Sequence, residues 1–598
     1  MLDDLESGGK RLDAITGLTT KLHEAVSADA AGIFSYITLF IRFLLPLCAG
    51  IVAYRAIRSL LRGHDDPEEW GYLSLPNGAR VGLYHWENII GRSQTADVRL
   101  NYPTLSRSHA ALIRDDKGTW RLYDLQSKGG VFLNKKKIDN EAEIDNGDII
   151  KLGGVELVFV TMGPVHQAVQ AMERERPGRV IRPSLTLFFL TLFQLLLGFA
   201  LCIAPGEALS PAVPIAFLAL TALTWLTYIA TRLLRRVAFE AETLAFLLCT
   251  IGMAVTASAA PGDLYKQAAL LTAGVGLYFL IGWFLRDLAN AVRLRWPIGI
   301  TGLVLLALNL LLSPTVFGAR NWLSVGGMSF QPSEFVKLAF VFVGAATLDR
   351  LFAKRNLFLF VAYAGICVIA LALIGDFGTA LIFFVAYLVV AFIRSGDLGT
   401  VSLSVAGAGL AGFLAVTYKS HVAARFATWG HAWEAASTGG YQQTRTMAAA
   451  ASGGLFGVGP GNGWLKNIFA ADTDLVFGMV SEELGLILAV IAVAAVLALV
   501  LYAVRASRTA RSTYYVIAAC AAAAILVFQM LLNVLGSVDI LPLTGVTFPF
   551  VSKGGSSLVA CWGLLAFIKA ADTRQNASLA LKMPKRLKKR QINLDEEY

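Results

Sequence analysis

The chain carries two polarity patterns. From Pro183 onward, at least a dozen apolar runs of about 17 residues or more follow one another between short polar loops, which is roughly what a helix needs to cross a bilayer. Spans are predicted near 185–204, 211–230, 243–260, 268–285, 296–313, 335–349, 357–375, 377–393, 400–418, 475–503, 513–535 and 555–571. An earlier run, 33–54, contains Arg42 and Pro46 and is followed by Arg55, Arg58 and Arg62. It predicts one more span or, because a central arginine is costly in lipid, an interfacial helix. Between about 70 and 161 the period changes to two, as in Arg80-Val81-Gly82-Leu83-Tyr84 and Val155-Glu156-Leu157-Val158-Phe159. That alternation, broken by turn signals, predicts a small all-β sandwich.

The division that follows is an N-terminal segment with one span (1–69), a β-sandwich (70–161), a charged linker (162–182), two extra spans (183–237), a helical core (238–572) and a basic tail (573–598). The expected fold is a polytopic α-helical membrane protein with a soluble β domain. Composition agrees, at 56% hydrophobic and 16% charged residues against about 25% charged in ordinary soluble domains. No apolar core in the first 32 residues suggests a cleavable signal peptide.

The net charge of +10 changes meaning once its placement is read. The bases recur in alternate loops (Arg232, Arg235 and Arg236; Arg286, Arg293 and Arg295; Arg350, Lys354 and Arg355; Arg394; Arg505, Arg508 and Arg511) and in the tail Lys585 to Arg590. This is positive-inside patterning and not a nucleic-acid face. It predicts a cytoplasmic β domain and tail. The loops at 318–333, 375–376, 419–474 and 542–557 then fall on the opposite side. The six cysteines lie in or beside apolar runs without metal or disulfide spacing, and read as small buried hydrophobes.

Candidate chemistry gathers in those external loops. Thr473-Asp474-Leu475-Val476-Phe477 puts a carboxylate at the mouth of an apolar segment just after a glycine-rich loop, with Asp472 as the near rival. Glu482 and Glu483 would lie ~12 to 13 Å deeper on a continuous helix, too deep to share a hydroxyl with Asp474, which favours a structural or positioning role. Glu334 and Lys337, spaced i,i+3, share one helix face. They read equally as a structural ion pair or, for Lys337 with Arg320, as groups facing a pyrophosphate. Asp376 reads as a helix cap. His421 and His431 have no metal-ligand spacing and read as loop histidines. Gly457-Val458-Gly459-Pro460-Gly461 lacks the Lys-Ser/Thr ending of a nucleotide loop, leaving close approach to a saccharide or lipid head group, or a plain loop.

Several ordered motifs over about 240–572 resemble the shape, elongation, division and sporulation family, the FtsW, RodA and SpoVE relatives. They are Gly318-Ala319-Arg320-Asn321-Trp322, Gln331-Pro332-Ser333-Glu334 with Lys337, Asp376-Phe377-Gly378-Thr379-Ala380, Gly440-Tyr441-Gln442, Gly453 to Gly459, Thr473-Asp474 with Glu482-Glu483, and Phe548 to Ser557. The chain departs from the family at Lys553, usually aromatic, at Phe548, usually leucine, and in two spans that precede the usual ten-helix core. The resemblance implies a peptidoglycan glycosyltransferase that polymerises lipid II on the outer face of the plasma membrane, working with a class B penicillin-binding protein. It implies Asp474 as general base, with Arg320, Lys337, Glu334, Gln442, Arg445, Lys553 and Ser556 around the substrate. No ligand cluster demands a metal, although Mg or Mn could share the charge on pyrophosphate. A lipid II flippase and a non-catalytic division scaffold are the competing classes.

The β domain has its own motifs: Gly91-Arg92-Ser93, Leu105-Ser106-Arg107-Ser108-His109, Asp124 to Gly130 and Phe132-Leu133-Asn134. They resemble a forkhead-associated (FHA) domain. The resemblance implies phosphothreonine binding by Arg92, Ser106, Arg107 and Lys128, with His109 bracing the loops. The family's usual asparagine and threonine are replaced by Gly129 and Val131, so phosphate-independent docking is the alternative.

Overall fold

In the computed structural model the described residues are 31–62, 68–175 except 95 and 116, 181–204, 210–315, 318–347 except 326–327, 353–395 and 398–582. The tail bases Lys585 to Arg590 and Arg350 lie outside them.

Helix α1 (Ala31–Arg62) precedes an eleven-stranded sandwich: β1 (Gly71–Ser74), β2 (Arg80–Leu83), β3 (Glu87–Gly91), β4 (Val98–Arg99), β5 (Ala110–Arg114), β6 (Trp120–Asp124), β7 (Val131–Leu133), β8 (Lys136–Lys137), β9 (Glu141–Ile144), β10 (Ile149–Leu152) and β11 (Val155–Thr161). One sheet runs β2-β1-β11-β10-β7-β8, the other β4-β3-β5-β6-β9, antiparallel except β3 with β4. The alternating apolar positions close the gap between the sheets, with Leu73, Leu83, Ile90, Leu112, Leu122, Val131, Ile150, Leu157 and Phe159 all buried.

Helix α2 (Pro164–Glu175) occupies most of the segment read as a charged linker. The membrane helices follow as α3 (Pro183–Cys202), α4 (Ala212–Leu233), α5 (Glu240–Ala259), α6 (Leu264–Phe284) and α7 (Leu288–Leu312). A small hairpin, β12 (Leu323–Val325) and β13 (Met328–Phe330), leads to α8 (Pro332–Thr347), α9 (Ala353–Ile374), α10 (Phe377–Ser395) and α11 (Leu398–Tyr418). The long loop carries α12 (Ser420–Thr428) and α13 (Tyr441–Gly453), and α14 (Val476–Glu483), α15 (Leu486–Thr509), α16 (Thr513–Ser537) and α17 (Gly555–Ala571) complete the chain.

Among the described residues nine helices are long and apolar enough to cross a membrane, and three shorter apolar helices accompany them. Helix α5 is buried along its whole apolar window. Leu226, Leu280, Ile300, Leu311 and Ile369 are exposed on outer faces, a surface that belongs in hydrocarbon. The predicted span 475–503 is two helices. Gly485, at φ +93°, breaks it, and a Cβ there would lie 2.3 Å from the Leu455 carbonyl oxygen.

The sandwich is docked on the helical body. Trp86 N–H donates to the Arg511 carbonyl at 2.6 Å, and Glu87 accepts from Ser512 Oγ at 2.6 Å and Thr513 N–H at 2.9 Å, capping α16. The predicted basic tail begins as a wedge between the two bodies. Arg236 donates to the Leu581 carbonyl at 2.8 Å, Arg286 to Leu579 at 2.8 Å and Arg511 to Ala580 at 3.1 Å, while Asn576 reaches Ala171 on α2 at 3.0 Å. Three loops predicted to share one membrane face therefore meet at the β domain. The candidate chemistry lies at the other end of α16, whose 25 residues cover ~37 Å.

Candidate active site

A cavity of about 430 Å³ opens at that end, with Trp322, Gln331, Arg425, Asp472, Asp474, Thr547, Lys553, Ser556 and Ser557 in its wall. Its carboxylate loop is held mainly through backbone. Asp474 N–H donates to the Ala470 carbonyl at 2.8 Å, Ser552 Oγ to Thr473 at 2.6 Å, Lys553 N–H to Asp472 at 2.8 Å and Asn533 Nδ2 to Asp474 at 3.0 Å. The Phe548 to Ser557 motif thus braces the Thr473-Asp474 motif from 79 residues away.

Surrounding protein desolvates Asp474 and pushes its pKa up to about 6, while the Thr473 side chain and the Arg425 charge pull the other way. The lysine that departs from the family is engaged on both sides: Lys553 Nζ lies 2.8 Å from Asp263 Oδ2 and 3.1 Å from Asp472 Oδ2. Partial burial works against its ammonium, but the two carboxylates outweigh that and raise its pKa.

Asp474, Lys553 and Ser556 therefore come together, and the other predicted substrate groups do not join them in the wall. Lys337 is fully buried, bonded to Glu334 at 2.8 Å and to Gln529 at 2.9 Å, because low dielectric makes an unpaired charge costly. Of the two readings of Glu334 and Lys337, the buried ion pair is the arrangement found. Arg320 turns away to the Leu310 carbonyl at 2.9 Å and Thr315 Oγ1 at 3.1 Å. Arg445 stacks over the Tyr441 ring at 5.1 Å. Gln442 donates to the carbonyl of Phe469 at 2.9 Å, bracing a wall residue rather than lining the wall.

Sequence reasoning missed Arg425. It stands on α12 and donates to the Thr544 carbonyl at 3.3 Å across the cavity. The only local signal was a basic residue on a short amphipathic run inside the external loop.

The glutamates beyond Asp474 organise the glycine-rich loop. Glu482 accepts from Trp464 N–H at 3.0 Å and Leu465 N–H at 2.9 Å, and Glu483 from Gly461 N–H at 2.9 Å and Ser258 Oγ at 2.5 Å. Val458 and Gly459 N–H pair with the carbonyls of Glu482 and Glu483, so these loop amides face protein and not a saccharide. Asp376 caps α10 by accepting from Thr379 N–H at 3.0 Å. His431 is exposed, its Nδ1 3.1 Å from the Trp429 carbonyl oxygen. Among the described residues no three His, Cys, Asp or Glu side chains converge as metal ligands.

On the sandwich, Arg92, Ser106, Arg107 and Lys128 share the end of the sheet remote from Glu87. The Arg92 N–H donates to the Ser106 carbonyl at 3.1 Å and Lys128 N–H to Ser106 Oγ at 3.1 Å. His109 is buried and braces these loops, its Nδ1 accepting from Ser106 N–H at 3.0 Å and its Nε2 3.2 Å from the Gly130 carbonyl oxygen. The three basic side chains are exposed.

Comparison with known proteins gives two family matches: the FtsW, RodA and SpoVE model, described as cell cycle protein, over residues 231–577, and the FHA domain over residues 88–153. The chain is 33% identical over 320 residues to the peptidoglycan glycosyltransferase RodA of Mycobacterium leprae, covering 49% of this chain and 67% of that one. It is 28% identical over 362 residues to the probable peptidoglycan glycosyltransferase FtsW of Bacillus subtilis, covering 55% and 86%. A solved chain from a peptidoglycan synthase complex that coordinates polymerization and crosslinking aligns at 25% identity and TM-score 0.49, covering 56% of this chain and 98% of that one.

Proposed function

Because the chain belongs to the FtsW, RodA and SpoVE family of cell-cycle proteins and carries an FHA domain, we propose that it is a membrane-embedded peptidoglycan glycosyltransferase joining lipid II units into glycan strands. The observation that carries this reading is the cavity in which a desolvated Asp474 faces Lys553 and Arg425.

Asp474, ionised, takes the proton of the acceptor sugar hydroxyl. That oxygen bonds to the anomeric carbon of the donor with inversion, and the anomeric C–O bond to the lipid pyrophosphate breaks, its electron pair leaving on phosphate. Lys553 and Arg425 are placed to offset the charge that develops there. A general base accounts for about 10² to 10⁴ in rate, so positioning of the two substrates carries much of the rest.

The orientation that suits this chemistry puts the cavity outside the plasma membrane, where lipid II is polymerised, and the FHA domain and tail in the cytoplasm. The basic residues Arg236, Arg286 and Arg511 at the β-domain end support it. A class B penicillin-binding protein would crosslink the product, and a phosphothreonine protein would dock on Arg92, Ser106, Arg107 and Lys128. The test is strand formation from lipid II by the purified full chain, with and without a cognate transpeptidase. Translocated lipid without polymer would identify a flippase, and neither product a scaffold.

A further inference from the structure

Helix α1 lies outside residues 231–577, the part of the chain matched to the family, yet it is packed into the helical body against α3, α5 and α15. Within its membrane-length stretch Ile37–Leu61 it carries Arg42, five residues (~7.5 Å) from the end opposite the β domain. An arginine at such a depth is costly, and an apolar residue would anchor the helix better. Its Nε is buried without a hydrogen-bond partner among the described residues. Among the described residues the hydrogen bond its guanidinium makes runs from Nη2 to the carbonyl of Gly457.

Gly457 is a critical point of the glycine-rich loop. Its φ is +79°, and a Cβ there would lie 2.2 Å from the Glu483 carbonyl oxygen, so this turn admits only glycine. Directly before it, Phe456 meets Phe43 of α1 edge to face, centroids 4.7 Å apart. Directly after it, the amides of Val458 and Gly459 lock onto α14, then those of Gly461, Trp464 and Leu465 onto the Glu483 and Glu482 carboxylates. The chain then runs into Phe469 to Asp474, the cavity wall.

We infer that Arg42 is a positioning residue of the glycosyltransferase: from a helix added to the family core, it fixes the turn at Gly457 from which the loop carrying Asp474 is hung. Helix α1 is then a working part of the catalytic module and not only the tether of the β domain. The inference rests on the assignment of Asp474 made above.

The test uses the purified full chain and its Arg42→Met and Arg42→Lys variants, each of verified monodispersity. Two quantities are read: kcat and KM for strand synthesis from lipid II, and amide hydrogen exchange over 453–474. Arg42→Met, which suits the bilayer better, is expected to lose about ten- to a hundredfold in kcat with KM within about twofold, since small misplacements of reacting groups carry costs of that order. Exchange over 453–474 should rise while the rest of the core keeps its protection. Arg42→Lys, which can still donate to the carbonyl, should recover most of both. Wild-type kcat and wild-type exchange in Arg42→Met would overturn the inference and leave the enzyme reading intact. A wild-type chain that makes no strands overturns the enzyme reading instead, and exchange then decides for Arg42 alone, unchanged protection counting against it. If Arg42→Met is not monodisperse, Arg42→Gln, which keeps a donor but not the reach, is read by the same criteria.

Discussion

Asn533 holds Asp474 by its backbone: the amide Nδ2 donates to the Asp474 carbonyl at 3.0 Å and to that of Val546 at 2.7 Å. The carboxylate is thereby left toward the cavity, at the end of a helix whose other end is capped by Glu87 of the β domain.

Asp474→Asn keeps the shape of the side chain and removes the base. Strand synthesis should fall by at least about 10² to 10⁴, with the protein still folded in the membrane, and Glu482→Gln should act mainly through loop stability. A flippase needs no proton abstraction from a sugar and would be indifferent to Asp474→Asn. Wild-type strand synthesis by that variant removes Asp474 from the chemistry.

The pH dependence has a definite sign. A base whose pKa is pushed up to about 6 in the free protein is protonated below that value, so kcat/KM should climb through about pH 6 and level off above it. Folding has the opposite sense. As pH rises from the ordinary carboxylate range to about 6, the unfolded chain ionises first, so this group's contribution to stability is lost across that window. Asp474→Asn should therefore raise the thermal midpoint relative to wild type at pH 8 and not at pH 4. Equal differences at both pH values would show that Asp474 is not desolvated.

Lys553→Met and Arg425→Ala should each lower kcat/KM. Charge-assisted hydrogen bonds are worth about 1.5 to 3 kcal/mol, or about 10- to 150-fold. Lys553→Met should be the more damaging, because it also releases Asp472, next to the base, and Asp263. Steady-state kinetics on lipid II decides. If the variant at Arg425, the residue sequence reading overlooked, behaves as wild type, the leaving group does not lie on that side of the cavity.

Glu87→Gln weakens the bonds to Ser512 and Thr513 that join β domain to core. The domain should then loosen by about 1 to 3 kcal/mol, measured as faster proteolysis between 162 and 182. Cleavage at the wild-type rate would mean that the Trp86–Arg511 bond and the tail wedge hold the domain without Glu87.

The phosphothreonine face and the orientation can be tested separately. Arg92→Ala should weaken a phosphothreonine peptide by about 1.5 to 3 kcal/mol in calorimetry, and equal affinity for the unphosphorylated peptide would make the domain a plain docking module. A cysteine at position 436 should be labelled from outside intact cells and one at position 118 should not. The reverse pattern would place the cavity in the cytoplasm and exclude the proposed chemistry.

The sequence by itself determined the class of fold and the family, because both rest on local information. Bilayer thickness sets the length of an apolar run, the pleat sets a period of two from Arg80 to Phe159, and contiguous motifs such as Thr473-Asp474 are read without knowing what they touch. Which charges meet was decided only by tertiary structure. Lys337 and Arg320 carry the charge a pyrophosphate wants, but burial pairs the one with Glu334 and Gln529 and turns the other to the Leu310 carbonyl. Arg425 looks ordinary along the chain and reaches the wall only because α12 and the Phe548 to Ser557 segment fold over the same cavity, and the tie between Asp472 and Lys553 depends on the same folding. The break at Gly485 depended on the Leu455 carbonyl, 30 residues away, and the wedge at Asn576 to Leu581 on arginines from three different loops. Electrostatic pairing in a low-dielectric interior is settled by distance in space, and periodicity along a chain holds no record of that distance.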